Sequence, residues 1–268
     1  MNNDSFTISE TELGDQSIRY LTAGEGEDTA IILQGWATEY KVYSLIISCL
    51  AKKYRVILPL FPGFGGEKEP REPMSVSDYA YLTNSLLRHL GITRADFFCH
   101  SYGGRVFLKL SADPERYTAI DKVILCDAAG IMPKRTAISE LKIKLFKFTR
   151  KLLSTPVMRF LYPELLPELL AKSGSDDYRN SSPIMRRTLV LAVNEDLTDL
   201  LSSVKAQSLI IWGKNDEALP LSDAYVMEKN IEGSAVVVFE KSGHFPFATE
   251  WPAFSAVMSS FFGIEGGI

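Results

Sequence analysis

Apolar residues enter this chain in two rhythms. The runs Ala30–Leu33, Arg55–Leu58, Asp96–Cys99, Val123–Cys126, Ser208–Trp212 and Ala235–Phe239 are short, rich in Val, Ile or Phe, and do not alternate with polar residues. Strands of a parallel sheet covered on both faces read this way. Between them the apolar positions recur at helical spacing. Tyr43–Lys52, Ser77–His89 (with Ser77-x-x-Ala80 as its cap), Tyr102–Ala112 and Trp251–Phe262 are predicted helices, the last with Phe254, Val257, Met258 and Phe261 on one face. Two earlier runs, Ser5–Thr11 and Ser17–Thr22, precede a turn-rich Gly24–Asp28 and predict a hairpin at a sheet edge. Strand and helix in alternation require crossover connections, so the expected fold is a doubly wound, mostly parallel α/β sheet.

One stretch departs from that alternation. From residue 131 to 203 the helical signal continues and no strand run occurs. Ile138, Leu141, Leu145, Phe148 and Leu152 keep helical spacing, Pro163 and Pro167 punctuate the next segment, and Arg187–Val193 resumes a helix. The chain therefore divides into a core at 1–130 and 204–268 and a helical insertion at 131–203. Lys134, Arg135, Lys142, Lys144, Lys147, Arg150 and Lys151 accompany a single acid, Glu140, which predicts a basic amphipathic helix. Its plain reading is a solvated basic face with the apolar stripe packed on the sheet domain. Attraction of an anionic substrate or a lipid surface is the sharper one.

Composition narrows the class. With 268 residues, 46% of them hydrophobic, the chain can bury a core without disulfides or a structural metal. Its net charge of −4 argues against general nucleic-acid binding, which needs excess Lys and Arg. No run approaches the length of a membrane span, and the N-terminus lacks the basic and apolar regions of a secretory signal. Cys49, Cys99 and Cys126 stand apart in apolar surroundings without metal-ligand spacing, which predicts reduced buried thiols and a cytoplasmic protein.

Chemistry concentrates in Phe97-Phe98-Cys99-His100-Ser101-Tyr102-Gly103-Gly104, where an apolar strand runs into a serine and a helix follows at once. A serine on so sharp a turn projects its hydroxyl clear of the sheet, and small residues must flank it. The helix behind it aims backbone N–H groups at any negative charge formed there. This segment resembles the nucleophile elbow of the α/β-hydrolase superfamily, with Cys99 at a position usually held by glycine. A serine needs a base, and the base needs an orienting acid. Of three histidines, His89 falls on a helix and His100 is expected to pack on the far side of the turn. His244, in Gly243-His244-Phe245-Pro246 ahead of Glu250-x-Pro252, resembles the superfamily's base. Asp216, in Gly213-Lys214-Asn215-Asp216 after an apolar strand, resembles its acid; Asp127 is the backup, one strand earlier. The order Ser101, Asp216, His244 is that of the fold.

The resemblance further implies an oxyanion hole from the backbone N–H groups of Trp36 and Tyr102, although Gln34-Gly35-Trp36 has Gln34 where His is usual. Gln34 therefore leaves open what fixes that loop. Pro59–Gly66 resembles a second family turn and is expected to be structural. The insertion corresponds to a cap over the site, and its Leu and Phe content favours an apolar acyl or alkyl group on a small-molecule substrate. The expected activity is serine hydrolysis of a small or medium carboxylic ester through an acyl-enzyme, with no metal or organic cofactor. Two alternatives stand beside it. One is carbon–carbon bond hydrolysis of the meta-cleavage-product type, with Arg186 or Arg187 binding a substrate carboxylate; the other is a non-enzymatic binding protein on the same scaffold.

Overall fold

The computed structural model describes residues 6–14, 16–132, 137–165 and 175–265, with the backbone alone at 137–143 and 147. In chain order its strands are β1 (Phe6–Leu13), β2 (Gln16–Ala23), β3 (Asp28–Leu33), β4 (Tyr54–Leu60), β5 (Arg94–His100), β6 (Ala119–Cys126), β7 (Gln207–Gly213) and β8 (Ala235–Phe239). The helices are α1 (Ser44–Leu50), α2 (Val76–His89), α3 (Tyr102–Ala112), α4 (Ala137–Leu153), α5 (Pro156–Leu161), α6 (Asp176–Asn180), α7 (Pro183–Val193), α8 (Leu221–Asn230), α9 (Pro246–Thr249) and α10 (Trp251–Phe262).

The strands form one sheet in the order β1-β2-β4-β3-β5-β6-β7-β8. The expected edge hairpin is present: β1 and β2 pair antiparallel with Leu13 opposite Gln16, and β2 runs antiparallel to β4. All remaining pairings are parallel. β3 pairs with β4 on one side and β5 on the other, so the strand order reverses there. At such a switch point the crossovers leave opposite faces, and a crevice opens at the carboxyl ends of the strands.

The unalternating runs are explained by helices on both faces. Ile31, Leu33, Phe97, Cys99, Val123, Leu125 and Trp212 pack with Tyr79, Leu86, Val106, Phe107 and Met227 of α2, α3 and α8. Ile32, Val56, Phe98, Ile124, Cys126 and Ile211 point the other way, onto Ile46, Leu50, Phe254, Met258 and Phe262 of α1 and α10. Successive strand residues face opposite layers, so every position must be apolar.

Two local expectations change, and one helix had not been predicted. Ser77 does not cap α2: Ser75 does, accepting from the Asp78 N–H while the Asp78 carboxylate accepts from the Ser75 N–H. This reciprocal pair satisfies two orphan donors, which Ser77 and Ala80 could not. α8 had no strong signal; it starts after Pro220 without a side-chain cap and is held by burial of Ala224 and Met227. The stretch between β6 and β7 is helical where described, as expected, but Leu145, Phe148 and Leu152 of α4 are 61%, 65% and 47% exposed and do not pack on the sheet layer. Lys144, Arg150 and Lys151 are exposed beside them. Lys134, Arg135 and Pro167, and the side chains of Ile138, Glu140, Leu141, Lys142 and Lys147, lie outside the described residues.

Candidate active site

The turn between β5 and α3 holds Ser101 at φ 50° and ψ −114°. A positive φ is costly for a residue with a Cβ and persists only where the surroundings enforce it. They do so here: the Ser101 N–H donates to the Cys126 carbonyl at 3.1 Å, and the Ser101 carbonyl accepts from Ala129 at 2.8 Å and Gly104 at 2.9 Å. A Cβ at Gly103 would lie 2.1 Å from the Leu33 carbonyl oxygen, so only glycine lets α3 settle on β3. Cys99 is fully buried in β5, where a small apolar side chain fits.

Asp216 and His244 come together, 28 residues apart in sequence. The Asp216 side chain is fully buried. One of its oxygens accepts from the N–H groups of Ala218 at 2.7 Å and Leu219 at 3.0 Å, and the other meets His244 Nδ1 at 2.7 Å. Burial opposes its charge, but the His244 hydrogen bond and those two amides outweigh it and hold its pKa below the usual carboxylate range. An ionised Oδ2 can only accept, so Nδ1 is the donor, and Nε2 is the ring nitrogen left outside this bond. The His244 loop is tied down by Glu250, which accepts from the Ser242 hydroxyl at 2.5 Å and the Lys241 N–H at 3.2 Å.

Ser101 and His244 line the same cavity of about 990 Å³, together with Gly35, Trp36, Tyr102 and Asn215. The Ser101 hydroxyl makes no hydrogen bond to the His244 ring in this conformation. The N–H groups of Trp36 and Tyr102, two of the lining residues, have no hydrogen-bond partner among the described residues. For Tyr102 the reason is general, since the first amide of a helix has no intrahelical acceptor. From the stretch 175–193, Asp177, Tyr178, Leu189, Val190 and Val193 also line it.

His100 does more than pack. Its ring is fully buried against Phe245 and Phe247 and makes two hydrogen bonds: Nδ1 to the Tyr43 hydroxyl at 3.0 Å and Nε2 to the His244 carbonyl at 2.9 Å. Burial, reinforced by the nearby His244, pushes its pKa down to about 3, so the ring is neutral. A carbonyl can only accept; Nε2 therefore donates and Nδ1 accepts the Tyr43 proton. The Tyr43 oxygen in turn accepts from the Gly35 N–H at 2.6 Å, and Thr38 donates to the Gly35 carbonyl at 2.9 Å. This chain answers the question raised by Gln34, which is buried with its Oε1 unpartnered. The loop is fixed by Tyr43 and Thr38 instead. Gly65, in the Pro59–Gly66 turn, backs it: a Cβ there would lie 2.6 Å from the Thr38 carbonyl oxygen.

Asp127 also reaches this cluster. It is fully buried at φ 42°, and its carboxylate accepts from the Gly213 N–H at 2.9 Å and the Cys126 thiol at 3.4 Å. Donor atoms of Asp127, Asp216 and His244 lie within 4.8 Å of one another, a spacing that could also hold a metal ion. Asp216 and His244 are already joined by a direct hydrogen bond. Burial, joined by the Asp216 charge, pushes the Asp127 pKa up to about 7. Arg186 and Arg187 do not line the cavity; Arg186 donates to the carbonyls of Tyr178 and Arg179. Sequence reasoning missed Tyr43, which holds the Gly35 loop, and Arg105, which lines the cavity. The helical spacing of Ser101 and Arg105 was the available signal for the second.

A strained serine at a strand-to-helix turn, over a switch-point crevice with a carboxylate-bound histidine, defines the α/β-hydrolase class. The family described as alpha/beta hydrolase fold matches residues 30–250, and the chain belongs to it. Among characterised relatives, the 2-hydroxy-6-oxo-6-phenylhexa-2,4-dienoate hydrolase of Comamonas testosteroni is 27% identical over 263 residues, spanning 88% of each chain. Among solved structures, an esterase from Exiguobacterium antarcticum superposes with a TM-score of 0.70 at 23% identity, over 91% of this chain and 95% of its own. The enol-lactonase from Burkholderia xenovorans gives 0.71 at 19% identity, over 95% and 100%. At these identities the structural matches establish the shared fold. Among the described residues no helix is long and apolar enough to cross a membrane.

Proposed function

We propose that this hydrolase cleaves a small or medium carboxylic ester through an acyl-enzyme on Ser101. His244 Nε2 takes the serine proton as Oγ attacks the carbonyl carbon. The resulting oxyanion is received by the N–H groups of Trp36 and Tyr102. Such preorganised donors act without reorganisation as charge develops, and loss of one costs about 3–4 kcal/mol in studied cases. The imidazolium, stabilised by Asp216, then protonates the departing alkoxide as the carbon–oxygen bond breaks. In the second half His244 deprotonates a water that attacks the acyl carbon, and the proton returns to Ser101 as the acid leaves. No metal or organic cofactor enters these steps.

One observation carries the reading: Ser101 at its strained turn shares a cavity with a histidine whose other nitrogen is bound by a buried, backbone-anchored carboxylate. We further propose that 131–203 acts as a cap, since its residues 175–193 roof the cavity with Leu189, Val190 and Val193 and suit an apolar substrate portion. The three buried, unpaired thiols support a reducing compartment, the cytoplasm. Carbon–carbon bond hydrolysis is the second reading, favoured by the 27% identical dienoate hydrolase. Purified protein assayed with 4-nitrophenyl butyrate beside a 2-hydroxy-6-oxo-dienoate separates the two. Ester turnover that vanishes in Ser101→Ala is the expected result. Turnover of the dienoate alone selects the second reading, and turnover of neither, without fluorophosphonate labelling, points to a binding protein.

A further inference from the structure

Arg105 is the one lysine or arginine among the described residues that line the cavity, and it is only 6% exposed. It lies on α3, four residues beyond Ser101. One guanidinium N–H donates to the Glu195 carbonyl at 2.8 Å. Among the described residues no carboxylate lies within ion-pair distance of it. The two nearest acids are engaged elsewhere: the Glu195 carboxylate pairs with Lys109 at 2.5 Å, and that of Asp196 accepts from Met132 and Thr198. Burial works against its charge, and the nearby Tyr102, Glu195 and Asp196 offset part of that cost without closing an ion pair. A guanidinium has five donors, and one of them is used on the Glu195 carbonyl. A ligand anion would take the donors that remain.

The other charged groups facing the cavity are Asp177 and Glu217. Glu217 adjoins Asp216 in sequence, and burial raises the Asp177 pKa, with Asp176 adding to the shift and His244 opposing it. Among the described lining residues, Arg105 is thus the one guanidinium beside two carboxyl groups. One planar fork matches one carboxylate, whereas a phosphate dianion would meet a single cation and two acids.

We propose that Arg105 is a specificity-determining residue that binds a carboxylate carried by the substrate at a distance from the scissile carbonyl. The inference rests on the reading of Ser101 as nucleophile.

Matched ester pairs test it. Mono-4-nitrophenyl glutarate against 4-nitrophenyl butyrate places the carboxylate in the acyl half; 4-acetoxybenzoate against phenyl acetate places it in the alcohol half. The acidic member of one pair is expected to have the higher kcat/KM. Arg105→Gln should lower that acidic-to-neutral ratio about tenfold or more, as for loss of a charge-assisted hydrogen bond, with partial recovery in Arg105→Lys. Glutarate should raise the Tm of the wild-type protein, and less so in Arg105→Lys. If the ratio is unchanged, or both members lose equally, the inference is overturned. Should Arg105→Gln fail to fold, the Lys variant and the glutarate shift decide in the same sense. Activity surviving in Ser101→Ala would instead refute the parent reading, whatever the ratio.

Discussion

The carboxyl edge of the sheet and the helices α4 and α5 are built by opposite rules. At the sheet edge the charged side chains and their loops have named partners, although Gln34 Oε1, Trp36 Nε1 and the Tyr102 hydroxyl are buried without one. Asp216 has two backbone amides and a histidine, His100 bridges two loops, and Glu250 anchors a third. On α4 and α5, Phe148, Val157 and Phe160 stand 65%, 66% and 86% exposed with Arg150 and Arg159 among them. The first region fixes atoms, and the second presents a surface. The chemistry proposed above needs close placement, and the residues proposed for it belong to the region held by hydrogen bonds and close packing.

The contrast can be broken in graded steps. The largest effect is expected from Ser101→Ala, which, on the proposed reading of Ser101 as nucleophile, should lower kcat for ester hydrolysis by roughly 10⁴–10⁶-fold. Asp216→Asn follows. It keeps the shape but can donate to Nδ1 and so favour the wrong tautomer, lowering kcat by roughly 10²–10⁴-fold. Tyr43→Phe removes one link between the Gly35 loop and His100, and should reduce kcat by about tenfold with little change in KM. An equal fall in folding stability and activity would show that Tyr43 only supports the core.

Asp127 gives a smaller effect with a definite sign. Its pKa is raised by burial and by Asp216 to about 7, so the native state binds a proton that the unfolded chain releases near pH 4. Between those values stability falls as pH rises. Asp127→Asn should therefore gain urea stability relative to wild type from pH 4 to pH 8. A difference that is flat or opposite in slope would place the proton elsewhere. The smallest effect belongs to the exposed helices. Phe160→Ser should change stability by no more than about 0.5 kcal/mol, as for exposed side chains elsewhere. A larger loss would mean that this surface is covered.

The same contrast explains what could be read from sequence. The strands were legible because residues buried on both faces must all be apolar. The elbow was legible because a serine between a strand and a helix has few structural uses. Asp216 and His244 were legible by their loops, each following a strand of that sheet. What lay hidden was contact across long separations. His100 sits beside Ser101, but its partners are 57 and 144 positions away, so neither hydrogen bond has a local signature. α8 was hidden for a related reason, being held by tertiary burial rather than by caps or a strong stripe. The apolar stripe of α4 misled because periodicity predicts which residues share a face, and not what that face meets.

The central claim is that Ser101 is the nucleophile of an acyl transfer. The most direct measurement is peptide mapping by mass spectrometry after reaction with a fluorophosphonate, which mimics the tetrahedral adduct. The account predicts one stoichiometric adduct on Ser101, with labelling slowed in His244→Ala. Rapid ester turnover by a protein that carries no adduct there, or carries it on another residue, would contradict it.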